Sequence, residues 1–271
     1  MTAQSVVLVD GAPTVWLPAT DRGLMYGDGV FRTVRVADGK PRWWHEHVAK
    51  LAQDCARLGL LAPAPAQWLA DLDQLAPHMA DGVLKLLVTR GSGQRGYLPP
   101  EGQQVRRLMY YDASRVPASV PLSDITLRVC TLRLGWQPRL AGIKHLNRLE
   151  NVLARAEWHT PEIHEGLLLD QAGNVISGVM SNLFLWHRNR LLTPRLDQCG
   201  VAGLTRARLM RLAQAEGLDV QETALSMQDV LDADELMLTN SLWGLRRVAR
   251  LETTSWPTPV ISVRLAGLLD A

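Results

Sequence analysis

A chain of 271 residues, 47% of them hydrophobic, has the material for two domains or one large one with a sizeable core. Its formal charge of +2 excludes the broad basic field that nucleic acid demands, and it has no run of about 18 apolar residues to span a membrane. The start, Met1-Thr2-Ala3-Gln4-Ser5, lacks the features of a secretory signal, and the widely spaced Cys55, Cys130 and Cys199 suit neither a disulfide framework nor a zinc ribbon, so a reducing cytoplasm is the expected setting.

Val6 to Val9 reads as a strand closed by the turn pair Asp10-Gly11. Tyr26-Gly27-Asp28-Gly29-Val30-Phe31 reads as a turn entering a strand, with Asp28-Gly29 as a hairpin signal. Val30 to Val36 is the strand, and Asp38-Gly39 the next hairpin turn. Val48, Leu51, Cys55 and Leu58 at helical spacing predict a helix over Trp44 to Leu58, and a second covers Ala66 to Met79. Gly82 to Thr89 is a strand, followed by a glycine-rich loop from Arg90 to Tyr97 and a strand from Leu108 to Tyr111. Residues 1–112 then form a smaller N-terminal domain. Residues 113–121, with prolines, serines and no periodicity, form a linker, and residues 122–271 form a larger second domain. In that second part Ile125 to Leu134 is a strand, Gly173 turns a hairpin, and Asn182 to Trp186 pairs with Leu191-Leu192. A helix runs from about Gly203 to Glu216, and Val220 to Thr223 and Glu235 to Thr239 are short strands. This pattern predicts two α+β domains with a ligand crevice between them.

Lys144 stands out. It sits in Ala141-Gly142-Ile143-Lys144-His145-Leu146-Asn147-Arg148-Leu149-Glu150, between a glycine-containing loop and a helix-like run with Leu146, Leu149, Leu153 and Ala156 on one face. An amine pinned there and partly desolvated has the lowered pKa that Schiff-base formation with an aldehyde needs; the alternative is a solvated lysine near a helix start. Gly200-Val201-Ala202-Gly203-Leu204-Thr205-Arg206 is a loop entering a helix. Its first amides and the Thr205 hydroxyl make either a phosphate cup or a plain helix cap. Thr239-Asn240-Ser241 ends a strand in hydroxyl and amide groups, which complete such a site or close a turn on their own backbone. Lys85 lies inside an apolar strand, where a cation either guards a sheet edge or points into a cleft, and Arg95 sits among glycines. Together they make a clamp for a substrate carrying carboxylates. His45, Glu46 and His47 are adjacent on a helix and share no face, so no metal site is expected there. Ser177-Gly178 lacks the frame of a nucleophile elbow.

With these residues in view, the chain resembles the fold-type IV pyridoxal-phosphate (PLP) enzymes, and within them the 4-amino-4-deoxychorismate lyases. The likeness runs through Asp21-Arg22-Gly23, Tyr26 to Gly29, Gly82 to Lys85, Arg90 to Tyr97, Leu140 to Glu150, Ser181 to Phe184 and Thr193 to Val201. The Arg90 and Lys144 blocks are specific to the lyases; the phosphate loop and Asn182-Leu183-Phe184 are shared with branched-chain and D-amino-acid aminotransferases. The resemblance implies two α+β domains with barrel-like mixed sheets and a site in the crevice between them. It implies that Lys144 is the Schiff-base lysine and that Leu204, Thr205 and Ser241 hold the cofactor phosphate. Lys85 and Arg95 then contact substrate carboxylates, with Thr33 and Asn240 lining the substrate side.

Two positions depart from that pattern. Lys50 stands where the family has an arginine on the phosphate, keeping the charge but losing the bidentate fork. Ser177 stands where the family has a glutamate under the pyridine nitrogen. A hydroxyl cannot keep that ring protonated as a carboxylate does, which weakens the electron sink that transamination depends on. The implied activity is a lyase of folate biosynthesis that makes 4-aminobenzoate and pyruvate from aminodeoxychorismate, acting as a cytoplasmic homodimer without nucleic-acid or membrane partners. An aminotransferase of the same fold and a non-catalytic PLP-binding protein are the two alternatives.

Overall fold

The computed structural model describes residues 5–113 and 124–270, so nearly all of the predicted linker lies outside the described residues. The chain divides into two compact units. One holds the N-terminal part up to Ser119 together with Ile143–Asn147, and the other holds Val120–Gly142 and Arg148–Ala271.

The first unit contains β1 (Ser5–Val9), β2 (Ala12–Pro13), α1 (Arg22–Tyr26), β3 (Gly29–Ala37), β4 (Lys40–Pro41), α2 (Trp44–Arg57), α3 (Pro65–Leu75), β5 (Gly82–Thr89) and β6 (Arg106–Asp112). The strands form one antiparallel sheet in the order β2-β1-β6-β5-β3-β4. Asp10-Gly11 and Asp38-Gly39 take the positive φ values that a tight hairpin requires. The period of two puts Val30, Val34, Leu84, Leu86, Met109 and Tyr111 on one face, where they pack with Val48, Leu51 and Cys55 of α2 and with Trp68 and Leu75. The other face carries Phe31, Thr33, Lys85 and Tyr110, all half-buried.

One expectation fails in this unit. Asp28-Gly29 is no hairpin turn. Residues 22–26 form a helix that Gly27 ends in the left-handed conformation, φ 65°. Asp28 instead binds the guanidinium groups of Arg22 and Arg90 at 2.9 and 2.8 Å. Burial pushes its carboxyl up, but the hydrogen bonds and charges of Arg90 and Arg22 outweigh this and hold it below the usual carboxylate range. Of the two readings of Lys85, the edge one is removed. Its strand lies between β3 and β6, so it guards no edge.

The second unit contains β7 (Asp124–Leu134), α4 (Leu149–Arg155), β8 (Glu165–Asp170), β9 (Val175–Gly178), β10 (Asn182–His187), β11 (Arg190–Pro194), α5 (Leu204–Ala215), β12 (Asp219–Thr223), α6 (Met227–Leu231), β13 (Glu235–Asn240), β14 (Gly244–Leu251), β15 (Thr254–Ser255) and α7 (Ser262–Asp270). Its mixed sheet runs β12-β11-β10-β13-β14-β7-β8-β9, with β7 parallel to both β14 and β8. Leu167, Leu183, Leu185, Leu236, Leu238 and Val248 fill one face of it. The helix expected to begin near Lys144 starts only at Leu149, and its apolar stripe is not a core stripe: Leu149, Leu153 and Ala156 are exposed, while Ala154 is buried.

Glu235, fully buried at the start of β13, closes the N-terminus of α7. Its Oε2 accepts the N–H groups of Val260, Ile261 and Ser262 at 3.0, 2.7 and 3.1 Å. Glu235→Ala strands all three donors and is expected to cost about 2 kcal/mol in thermal unfolding. Glu235→Gln keeps an acceptor and should cost less. Equal melting of the alanine variant and the native protein would refute this role.

Candidate active site

In the first unit the Lys144 segment adds to the open side of β3. Phe31 N–H donates to the Lys144 carbonyl at 2.9 Å, Leu146 N–H donates to Gly29 O at 3.0 Å, and His145 bridges Val30. Asn147 donates to Gly27 O at 3.2 Å, and Gly27 holds φ 65°, a left-handed conformation that favours glycine. Lys144 thus belongs to a braced extended segment and not to a helix start. Its Nζ lies 4.4 Å from the centre of the Phe31 ring, and Lys85 Nζ lies 5.0 Å from the same ring. Thr33 is the cross-strand partner of Lys85. One aromatic ring therefore gathers two ammonium groups on one sheet face, where its quadrupole attracts both.

Lys50, on α2, donates to Asp54 Oδ1 at 2.9 Å. Arg95 is exposed, and among the described residues no bond or ion pair joins it to Lys85. Its loop is held by Arg22, whose guanidinium donates to the carbonyls of Gly96 and Tyr97 at 3.0 and 2.9 Å.

In the second unit the loop before α5 is tied down on both sides. Gly142 N–H donates to Gly200 O at 2.9 Å, and Ala202 N–H donates to Gly142 O at 3.1 Å. Asn182 donates to Val201 O at 2.7 Å and accepts from Gly203 N–H at 3.1 Å. No side chain caps α5; its first intrahelical bond runs from Ala207 N–H to Gly203 O, leaving the amides of Leu204 to Arg206 ahead of it. Among the described residues the Thr205 hydroxyl has no hydrogen-bond partner, although Thr205 is only 1% exposed. A plain cap would have engaged that hydroxyl. Buried hydroxyls are otherwise hydrogen-bonded, so an oxyanion that accepts from Thr205 and from the helix amides fits the site.

Thr239 offers a second such hydroxyl, buried and unpartnered, opposite Asn182 in the β10–β13 pair. Its signal, a threonine in a hydroxyl-rich strand end, was visible in the sequence, but its inward direction depended on register. Asn240 closes a turn, accepting the N–H groups of Leu242 and Trp243 at 2.9 and 3.0 Å, and Ser241 lies half-buried in that turn.

Ser177 is 7% exposed on β9, and its hydroxyl donates to Gly178 O at 2.8 Å. Glu165, fully buried on the neighbouring β8, gives both oxygens to the turn that follows. It accepts from Val179 N–H, Met180 N–H and Ser181 Oγ at 3.1 Å each. Burial drives the Glu165 carboxyl above the usual range, and these donors offset only part of that shift. The three thiols are buried and, by burial first, pushed up to about 12, which removes thiolate chemistry near neutral pH.

The amino-transferase class IV family matches residues 29–251. A crystal structure of 4-amino-4-deoxychorismate lyase from Pseudomonas aeruginosa is similar at a TM-score of 0.90 and 42% identity, covering 97% of this chain and 98% of that one. Aminodeoxychorismate lyase from Vibrio harveyi is 34% identical over 97% of this chain and 98% of its own length. D-alanine aminotransferase from Bacillus licheniformis is 27% identical over 82% of this chain and 78% of its own. The two α+β units, the first built on an antiparallel and the second on a mixed sheet, have the fold of these enzymes, and the chain belongs to the amino-transferase class IV family.

Proposed function

We propose that this protein is a PLP-dependent lyase that converts 4-amino-4-deoxychorismate to 4-aminobenzoate and pyruvate, a step of folate biosynthesis. The likeness to two lyases over nearly the whole chain supports the substrate class. The observation that carries the reading is the unpartnered, buried Thr205 hydroxyl at an uncapped helix start, whose loop is bridged through Val201 to Gly142, two positions before Lys144 in the sequence.

In this reading the Leu204 and Thr205 amides, the Thr205 hydroxyl and Ser241 hold the cofactor phosphate, with Lys50 adding charge. Bound PLP supplies an electron sink for the amine-bearing carbon of the substrate. Lys144 would hold the cofactor through its amine, and the same amine would take the proton from the amine-bearing carbon of the substrate. The carbon–oxygen bond of the enolpyruvyl ether breaks, the ring becomes aromatic, and Lys144 returns a proton to the fragment that leaves as pyruvate. Lys85 and Arg95 orient the substrate through its carboxylates, and Thr33 and Asn240 line its path. Ser177 would stand near the pyridine nitrogen and would offer it a hydroxyl in place of a carboxylate. Transamination suffers most from that loss; an elimination that creates an aromatic ring has its own driving force. Ser177 therefore favours the lyase over an aminotransferase.

The same reading makes the protein a cytoplasmic homodimer. No helix among the described residues is long and apolar enough to cross a membrane. Leu149, Val152 and Leu153 on α4 are 76%, 59% and 61% exposed, an apolar face of the kind a second copy covers. Sedimentation at micromolar concentration would return a monomer mass if this part is wrong.

The test of the activity is direct. Purified protein should develop a visible band on addition of PLP and release 4-aminobenzoate from aminodeoxychorismate with no oxo acid present. Turnover of D-alanine with 2-oxoglutarate in its place would make the chain an aminotransferase. A visible band with no turnover of either would make it a non-catalytic PLP-binding protein.

A further inference from the structure

Asp54 lies on α2 with its side chain fully buried, one turn beyond Lys50. Its Oδ2 accepts the backbone N–H of Lys144 at 3.2 Å and also meets the guanidinium of Arg32. Its Oδ1 accepts the Lys50 ammonium at 2.9 Å. Arg32 projects from β3 onto the core side of the sheet and is only 2% exposed. One carboxylate thus joins a helix, a strand and the backbone of the proposed cofactor-bearing lysine.

A buried ion pair is weak evidence for stability, because the desolvation of two charges offsets much of their attraction. An apolar pair of similar volume would serve packing as well at positions 32 and 54. What an apolar pair cannot supply is an acceptor for the Lys144 N–H. The Lys144 carbonyl is already held by Phe31 N–H at 2.9 Å. With both backbone groups of Lys144 bonded, its Cα is fixed, and the side chain leaves from a set point toward the Phe31 ring.

We infer that Asp54 is a positioning residue for Lys144: it clamps the lysine's backbone so that the amine is presented in one place, while Arg32 and Lys50 hold the carboxylate from its other sides. This rests on the reading of Lys144 above. It also gives Lys50 a role that does not require contact with a cofactor phosphate.

Asp54→Ala alone would leave Arg32 buried and unpaired and would confound the result with unfolding. The informative variant is Arg32→Met with Asp54→Leu, which removes both charges and keeps the volume. It should melt within about 5 °C of the native protein. In the cofactor-free state, amide exchange of the peptide spanning 143–147 should quicken by about tenfold or more, with β5 and β6 unchanged. With PLP and substrate, kcat should fall by about tenfold to 100-fold while KM stays within about twofold. The pH midpoint of the visible band should also move. Asp54→Asn keeps an oxygen for the Lys144 N–H, and exchange of that peptide should stay within about threefold of native. Unchanged exchange over 143–147 in the double variant would overturn the assignment, as would rates and melting that decline together with a native pH midpoint. If the native protein takes up no PLP, the functional reading fails, and the exchange comparison still decides the role of Asp54.

Discussion

Lys144→Ala is expected to abolish the visible band of the bound cofactor and to lower 4-aminobenzoate formation by about 10⁴-fold or more, because one amine both carries the cofactor and moves the proton. The fold should survive. The bonds from Phe31 N–H to the Lys144 carbonyl and from Lys144 N–H to Asp54 both use backbone atoms, which alanine retains. The companion variant is Lys85→Ala. Its ammonium shares the Phe31 ring with that of Lys144, so a loss caused only by disturbing this ring would appear in both. If Lys85 serves substrate carboxylates, its loss should leave the visible band intact and raise KM by about tenfold. Absorbance spectra and steady-state product assays separate the two. Product formation at the native rate by Lys144→Ala would end the assignment.

The next largest effect is expected at the entry to α5. Gly203 has φ −69° and ψ 150°, which any residue adopts, so its glycine is required by space and not by backbone angle. A Cβ there would lie 2.3 Å from Asn182 Oδ1. Asn182 cannot yield cheaply: it is 7% exposed and engaged at 2.7 Å with Val201 O and at 3.1 Å with Gly203 N–H. Gly203→Ala must displace the loop, at a cost of about 1–3 kcal/mol. It also re-aims the amides of Leu204 and Thr205, so PLP affinity should fall by about tenfold or more. Pairing it with Asn182→Ser removes the overlap and should recover part of the stability but not the affinity, since the loop then lacks its anchor. Melting curves with and without PLP, together with a PLP titration, test each arm. Native melting and native affinity in Gly203→Ala would show that the loop has slack and that its geometry does not matter.

The residue-level signals that read correctly are those whose physics is local. Asp10-Gly11 and Asp38-Gly39 turn as hairpins because positive φ is cheap at those residues. Val48, Leu51 and Cys55 bury one face of α2 because helical spacing alone sets that face. The Asp28-Gly29 pair has the same local signature and does something else: its aspartate is captured by Arg90, which lies 62 positions away in sequence. Likewise Lys85 could not be placed at an edge or in the middle of a sheet until β6 was known to flank it. Leu149, Val152 and Leu153 have the spacing of a core helix yet face outward. Spacing states that a face is apolar, not what covers it.

The chain alone, through short-range periodicity and turn chemistry, was enough to place many of its strands and helices, and the Gly142–Glu150 and Gly200–Arg206 blocks carried the family likeness and singled out the lysine on which the proposed chemistry depends. Those features follow from conformational preferences spanning a few residues. Folding alone revealed that the Thr205 and Thr239 hydroxyls are buried without partners, that Phe31 draws Lys85 and Lys144 to one face, and that Asp54 clamps the lysine's backbone across 90 residues of sequence. Register, burial and ion pairing are properties of segments brought together from afar, and no local pattern encodes which partner will arrive.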